Sequence, residues 1–141
     1  MMVRELTAED ADAAAALTPG WSAEDYRRTA NGDFPDRFCL VTPVVSGLIL
    51  CSLVPPDAEI LNVFVHSSAR RSGIATTLLQ SALDHMRDRG VTRVWLEVRE
   101  SNKSALSIYS AAGFRQSGRR VQYYQDPKED ALVLENFLKR S

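Results

Sequence analysis

Residues Val94 to Phe114 read V-W-L-E-V-R-E-S-N-K-S-A-L-S-I-Y-S-A-A-G-F. Val94, Leu96 and Val98 alternate with Trp95, Glu97 and Arg99, the period-two pattern of a strand with one face in a core. Ser101-Asn102 then offers an N-cap, and a helical segment runs to Ala112 and stops at Gly113. A strand that passes through a short loop into a helix is a unit of a sheet with helices packed on it. The strand carries a carboxylate, Glu97, that a plain core strand does not need, and the helix presents a phenol, Tyr109, seven residues past Asn102. A carboxylate and a phenol so placed could form an acid/base pair.

The flanking sequence extends this unit in both directions. Val3 to Leu6 reads as a short strand, followed by an Ala-rich helix from about Ala8 to Leu17 with Thr7 as its cap. Pro19-Gly20 breaks the chain, and Ser22 caps a second helix through about Ala30, with Trp21 positioned to staple its entrance. Arg37 to Thr42, Gly47 to Val54 and Glu59 to Val65 read as strands separated by turns at Pro43 to Ser46 and at Pro55-Pro56-Asp57. Ile74, Ala75, Leu78, Leu79, Ala82, Leu83 and Met86 then mark one face of a long helix closed by Gly90. Beyond the opening stretch, Phe114 to Tyr124 and Ala131 to Leu138 read as strands. The order predicts an α/β protein, a mixed sheet with helices on both faces, formed as one domain over residues 1–141.

With 141 residues, 45% of them apolar, the chain can bury a sizeable core. Its 17 basic and 18 acidic residues provide no basic excess for direct nucleic-acid binding. No apolar run approaches the roughly 20 residues of a membrane helix. The start, M-M-V-R-E-L-T, carries no signal-peptide core, so the expected location is cytoplasmic, as a monomer or weak dimer. Cys39 and Cys51 lie in apolar runs and read as buried free thiols. His66 and His85 are isolated, and no Cys/His spacing suggests a metal.

Two segments carry candidate chemistry. In V-H-S-S-A-R-R-S-G-I-A, Val65 to Ala75, a strand ends in a polar loop and Gly73 opens the long helix. Helix N-termini receive phosphates well, and Arg70 and Arg71 would add charge, although a Gly turn with solvated arginines has the same look. In the second segment, Glu97 could simply pair with Arg99 or with an arginine on a neighbouring strand. Asn102 could be no more than a helix cap, and Tyr109 could pack in the core with its hydroxyl satisfied.

The spacing of the two segments adds to these readings. R-x-x-G-x-A at Arg70 to Ala75, then a helix, L-E-V-R-x-S-N at Leu96 to Asn102, and A-x-x-x-Y-x-x-x-G-F at Ala105 to Phe114 together resemble the GNAT superfamily of acetyl-CoA-dependent N-acetyltransferases. Within it the chain is most similar to the ribosomal-protein-alanine N-acetyltransferases (RimI type). Leu96 to Arg99, Ser101-Asn102, Ile108-Tyr109, Gly113-Phe114, Arg120, Tyr123-Tyr124 and Glu129-Asp130-Ala131 carry that likeness, with weaker echoes at Trp21-Ser22 and Asn62 to Val65. The chain departs from the pattern at Ala75, where the loop motif often has glycine, and at His66 to Ala69, where relatives often have D-P-x-x. The segment between Tyr124 and Glu129 is also short.

The resemblance implies a mostly antiparallel central sheet and direct acetyl transfer from acetyl-CoA, as co-substrate, to an amine. It implies Glu97 as general base and Tyr109 as the group serving the departing sulfur. Arg70, Arg71, Ser72, Gly73, Ile74, Ala75 and Thr76 would cradle the pyrophosphate. Asn102 would hold the cofactor's arm or its adenine side, and the strand Val63-Phe64-Val65 would line the cofactor and supply backbone donors. The implied acceptor is a protein N-terminus, with alanine of a small-subunit ribosomal protein as the leading candidate and Asp126, Glu129 and Asp130 as candidate acidic lining. Another N-terminus, a small-molecule amine and a non-catalytic acetyl-CoA sensor are the alternatives, and retention of both Glu97 and Tyr109 weighs against the last.

Overall fold

The computed structural model describes residues 2–70 and 72–139. The chain runs β1 (Arg4–Glu5), a 3-10 turn (Ala8–Asp10), α1 (Ala11–Leu17), α2 (Ala23–Ala30), β2 (Arg37–Val41), β3 (Gly47–Val54) and β4 (Asp57–Val65). It continues through a second 3-10 turn (Ser67–Ala69), α3 (Ile74–Asp88), β5 (Arg93–Arg99), α4 (Lys103–Ala111), β6 (Arg115–Tyr124) and β7 (Glu129–Phe137). The strands form one sheet in the order β1-β2-β3-β4-β5-β7-β6. Among the described residues the neighbours are antiparallel except β4 and β5, which are parallel. The mixed, mostly antiparallel sheet expected from the sequence is therefore present.

Two apolar clusters cover the two faces. On one, Leu78, Leu79, Ala82, Leu83 and Met86 of α3 pack with Ile49, Cys51, Ile60, Val94 and Leu96, and Tyr109 of α4 joins them. On the other, Ala11 and Ala14 of α1 and Tyr26 of α2 pack with Cys39, Val41, Leu48 and Leu50. Cys39 and Cys51 thus sit on opposite faces of the sheet, both free and buried. The helix face read from the periodicity between Ile74 and Met86 is the buried face of α3.

The N-terminal segment is less regular than its sequence predicts. The first strand shrinks to Arg4–Glu5, and the expected helix from Ala8 begins as a 3-10 turn. The Asp10 carboxylate explains the bend. It takes two hydrogen bonds from Arg4, at 2.7 and 2.9 Å, and one from the Thr7 N–H at 2.8 Å. The Arg4 guanidinium holds this carboxyl well below the usual carboxylate range. The second helix follows its caps. Asp25 N–H donates to Ser22 Oγ and Ser22 N–H to the Asp25 carboxylate, while Trp21 lies 6.3 Å from Tyr26, ring to ring, across the entrance.

A bulge in β4 decides which of its side chains meet α3. Leu50 pairs with Asn62 but Cys51 pairs with Ile60, so Leu61 is the extra residue. The face toward α3 therefore passes from Ala58 and Ile60 to Val63 and Val65, while Leu61 and Phe64 turn to the α1–α2 face. Gly47 opposite lets α3 come close, since a Cβ there would lie 2.9 Å from Ile74 Cγ2. Truncating Leu83, 1% exposed in the α3 core, to Ala should cost about 2–5 kcal/mol of unfolding free energy. Urea denaturation of Leu83→Ala beside the parent reads this directly.

Candidate functional site

Parallel pairing of β4 and β5 covers Asp57 to Glu59 against Arg93 to Trp95 and then stops. Each strand is held on its far side, β4 by β3 as far as Val65 and β5 by β7 as far as Arg99. The two therefore diverge, and the gap opens a cleft of about 850 Å³. His66 N–H donates to Ser46 O on the β3 side, so by strand alternation the N–H groups of Val63 and Val65 face the gap. Arg70 Nε donates to Val65 O at 3.2 Å, tying the loop after β4 to its last residue.

Val63, Phe64 and Val65 line one wall of the cleft, and Arg70, Gly73, Ile74, Ala75 and Thr76 line its mouth. Gly73 has φ of +81°, a left-handed turn that glycine adopts without strain, and it is the N-cap of the 15-residue α3. The unpaired N–H groups of that first turn make the mouth a receptor for anions. Ser72 is not part of the lining and its hydroxyl donates to Ala69 O. Arg71 lies outside the described residues.

Glu97 and Tyr109 both line the cleft, from opposite faces of the sheet. Tyr109 is 9% exposed and packs edge-on to Phe114, with ring centroids 5.6 Å apart. Burial pushes its hydroxyl up to about 12, with no hydrogen bond from the described residues contributing. The phenol is therefore packed like a core residue, yet its oxygen is left for the cleft. Asn102 caps α4, its Oδ1 accepting from Ala105 N–H at 3.2 Å, and it lines the cleft as well.

The Glu97 carboxylate pairs with Arg120 of β6, both oxygens within 3.4 Å of Nη1, and its side chain is 15% exposed. The ion pair that the sequence left open between Arg99 and a neighbouring strand thus goes to the strand. The same face holds a carboxylate that the sequence reading missed. Glu59, level with Trp95 where the two strands part, is half-buried. Burial pushes its carboxyl above the ordinary range, Glu97 adds to the effect, and Arg120 opposes it. The alternation of Ala58 and Ile60 around Glu59 was the only sequence sign, and it does not distinguish this carboxylate from a solvated one.

The β6–β7 hairpin closes over this side. The Arg99 guanidinium donates to Gln125 O, Pro127 O and Glu129 Oε1 and lies 4.4 Å from the Tyr124 ring centroid. Glu129 also accepts from Ser101 N–H, and Ser101, through its side chain first and then its N–H, holds this carboxyl below the usual range together with Arg99. Asp130 accepts from Arg119 and from Gln122 N–H. Glu129 and Asp130, candidate acceptor lining in the sequence, are therefore committed to internal pairs, while Asp126 remains exposed.

Known proteins share this architecture. A family model described as "Acetyltransferase (GNAT) family" matches residues 3–114. The [ribosomal protein bS18]-alanine N-acetyltransferase of Escherichia coli strain K12 is 33% identical over 92 residues, which are 64% of this chain and 62% of that protein. The match thus spans less than two thirds of that relative's length. The crystal structure of the Escherichia coli ribosomal-protein-S18-alanine N-acetyltransferase superposes with a TM-score of 0.84 at 26% identity, over 99% of this chain and 95% of that one. A chain of the NatC complex bound to Gag peptide and CoA superposes with a TM-score of 0.80 at 25% identity, over 98% of both chains.

The raised Glu59 carboxyl makes a signed prediction. A folded-state pKa above the unfolded one means that ionising Glu59 costs folding stability, and that the cost is absent below about pH 4, where both states are protonated. Glu59→Gln should therefore melt higher than the parent at pH 7, with the gain fading as pH falls toward 4. Differential scanning calorimetry from pH 4 to 8 measures it, and a lower melting point at pH 7 would contradict the assignment.

Proposed function

The chain belongs to the GNAT acetyltransferase family, and we propose that it transfers acetyl from acetyl-CoA to the N-terminal α-amine of a protein, with alanine of a small-subunit ribosomal protein as acceptor. The observation that carries this reading is the split sheet, with the Tyr109 phenol on one face of the opening and the Glu97 carboxylate on the other. A donor on the α3–α4 face and an amine on the opposite face can meet only through such a gap.

The residues present fit acetyl-CoA. The α3 N-terminus at Gly73, with Arg70 beside it, suits a pyrophosphate. From Val65 back to Ile60 the gap wall is about 17 Å long at the usual rise of a strand, room for an extended pantetheine arm. Bound acetyl-CoA supplies the acyl group already activated as a thioester. An α-amine, with a pKa of about 7.7–8.0, is largely protonated at neutral pH and must lose a proton before it attacks. Glu97 accepts that proton, through a water, and Glu59 adds negative charge that attracts the ammonium. The N–H groups of Val63 and Val65 face the place where the carbonyl oxygen gains charge.

Burial limits what Tyr109 does. Its hydroxyl, pushed up to about 12, holds its proton more tightly than a free tyrosine does. The phenol therefore stabilises the thiolate by donating a hydrogen bond, and solvent delivers the proton later. A second reading, the same chemistry on another amine, is favoured by one observation: Glu129 and Asp130 are held in internal pairs, which weakens their pull on a basic peptide.

Three measurements test the function. Incubation with acetyl-CoA and a panel of N-terminal peptides and free amines, with thiol release as the readout, should show preference for peptides beginning with alanine. Activity on small amines alone would support the second reading and overturn the first. Tyr109→Phe should lower kcat by roughly 10²–10³-fold, the usual loss for one transition-state donor, with little change in acetyl-CoA affinity. Glu97→Gln should lose most activity below about pH 8, where the amine is protonated, and a loss independent of pH would remove Glu97 as the base.

A further inference from the structure

Beyond the acceptor, the cleft sets a limit on the acyl group, an inference that rests on the function just proposed. Past the last paired residues, Glu59 and Trp95, the first side chains turned to the α3–α4 face are Ile60 of β4 and Leu96 of β5. They are 4% and 1% exposed, and Leu79 of α3, 1% exposed, packs in the same cluster. All three also line the cleft. The narrow end of the gap, opposite the anion-binding mouth, is thus stopped by three aliphatic side chains from three elements.

We propose that Ile60, together with Leu96 and Leu79, limits the transferable acyl group to acetyl. Tyr109 lines the cleft on the same face, so a thioester sulfur beside its hydroxyl would direct the acyl chain at this stop. Three features make the stop stiff. Ile60 is β-branched, with a restricted χ1. The bulge at Leu61 immediately after it fixes which face it occupies. Leu79 and Leu96 are core residues, each 1% exposed, in the same cluster, and side chains held in a close-packed interior give way to an added methylene only at a cost.

Transfer and binding should be measured in parallel with acetyl-, propionyl- and butyryl-CoA. One extra methylene against such a wall is expected to lower kcat/KM about 10–200-fold in the parent protein. Ile60→Ala should bring propionyl-CoA to within a few-fold of acetyl-CoA. Ile60→Val, which removes one methyl group, should fall between and serves if the alanine variant does not fold. Leu83→Ala is the control, a buried residue of the same cluster outside the cleft lining, and should leave the preference as in the parent. Calorimetric Kd values for the three thioesters supply a readout that needs no acceptor. If no amine is acetylated, the proposed function fails, and the acyl limit is still judged from the Kd ratios. A parent that uses or binds butyryl-CoA as well as acetyl-CoA, or an unchanged preference in Ile60→Ala, would overturn the limit.

Discussion

Every part of the cleft depends on a parallel ladder that stops after three residue pairs, Asp57–Arg93 to Glu59–Trp95. Had it continued, the N–H groups of Val63 and Val65 would be spent on β5 and the two faces of the sheet would be sealed from each other. The opening is stable because neither strand needs the other. β3 holds β4 to its last residue, and β7 holds β5 to Arg99. The unspent N–H groups border a cleft wide enough for water, so they escape the roughly 1–3 kcal/mol that a buried unsatisfied donor would cost.

The charges around the gap show where stability yields to chemistry. Asp10 and Arg4, far from the cleft, form an ion pair with a strongly held carboxylate that bends a helix start and asks nothing of function. At the cleft the balance differs. Glu97 and Glu59 share one face, where burial and Glu97 oppose the ionisation of Glu59 and Arg120 favours it. One of the two carboxylates is held in a place that resists its ionisation. Titratable groups under such pressure gather at working sites more than in ordinary surface networks, where exposed pairs such as Arg87–Asp84 contribute little.

Much of this was legible in the chain because local rules govern it. Ser22 with Asp25, Asn102 at the start of α4 and the three- and four-residue spacing from Ile74 to Met86 each act within a turn or two, and each element formed where those residues put it. The strand phase of Val94, Leu96 and Val98 was equally local. Pairing partners were not. The choice of Arg120 by Glu97 spans 23 residues and depends on β7 lying between β5 and β6 in the sheet. The significance of Glu59 depends on where the ladder ends, which no residue in β4 announces. The fates of Glu129 and Asp130 turned on Arg99 and Arg119, and carboxylates near a turn look the same in sequence whether paired or free.

Arg99 joins the two halves of the site. Its backbone ends β5, two residues beyond Glu97, and its guanidinium holds the β6–β7 turn through Gln125, Pro127 and Glu129 while stacking on Tyr124. Glu129 in turn holds the N–H of Ser101, just before the helix that carries Tyr109. The strand with the carboxylate, the helix with the phenol and the β6–β7 hairpin are thereby fastened at one point. On the function proposed above, an acceptor that presses on the Tyr124 hairpin would act on the same clamp that positions α4. With Glu129 occupied in that clamp and Asp130 held by Arg119 and Gln122 N–H, the function proposed above would leave acceptor recognition to the shape of the hairpin and to the charge at Glu59 and Glu97.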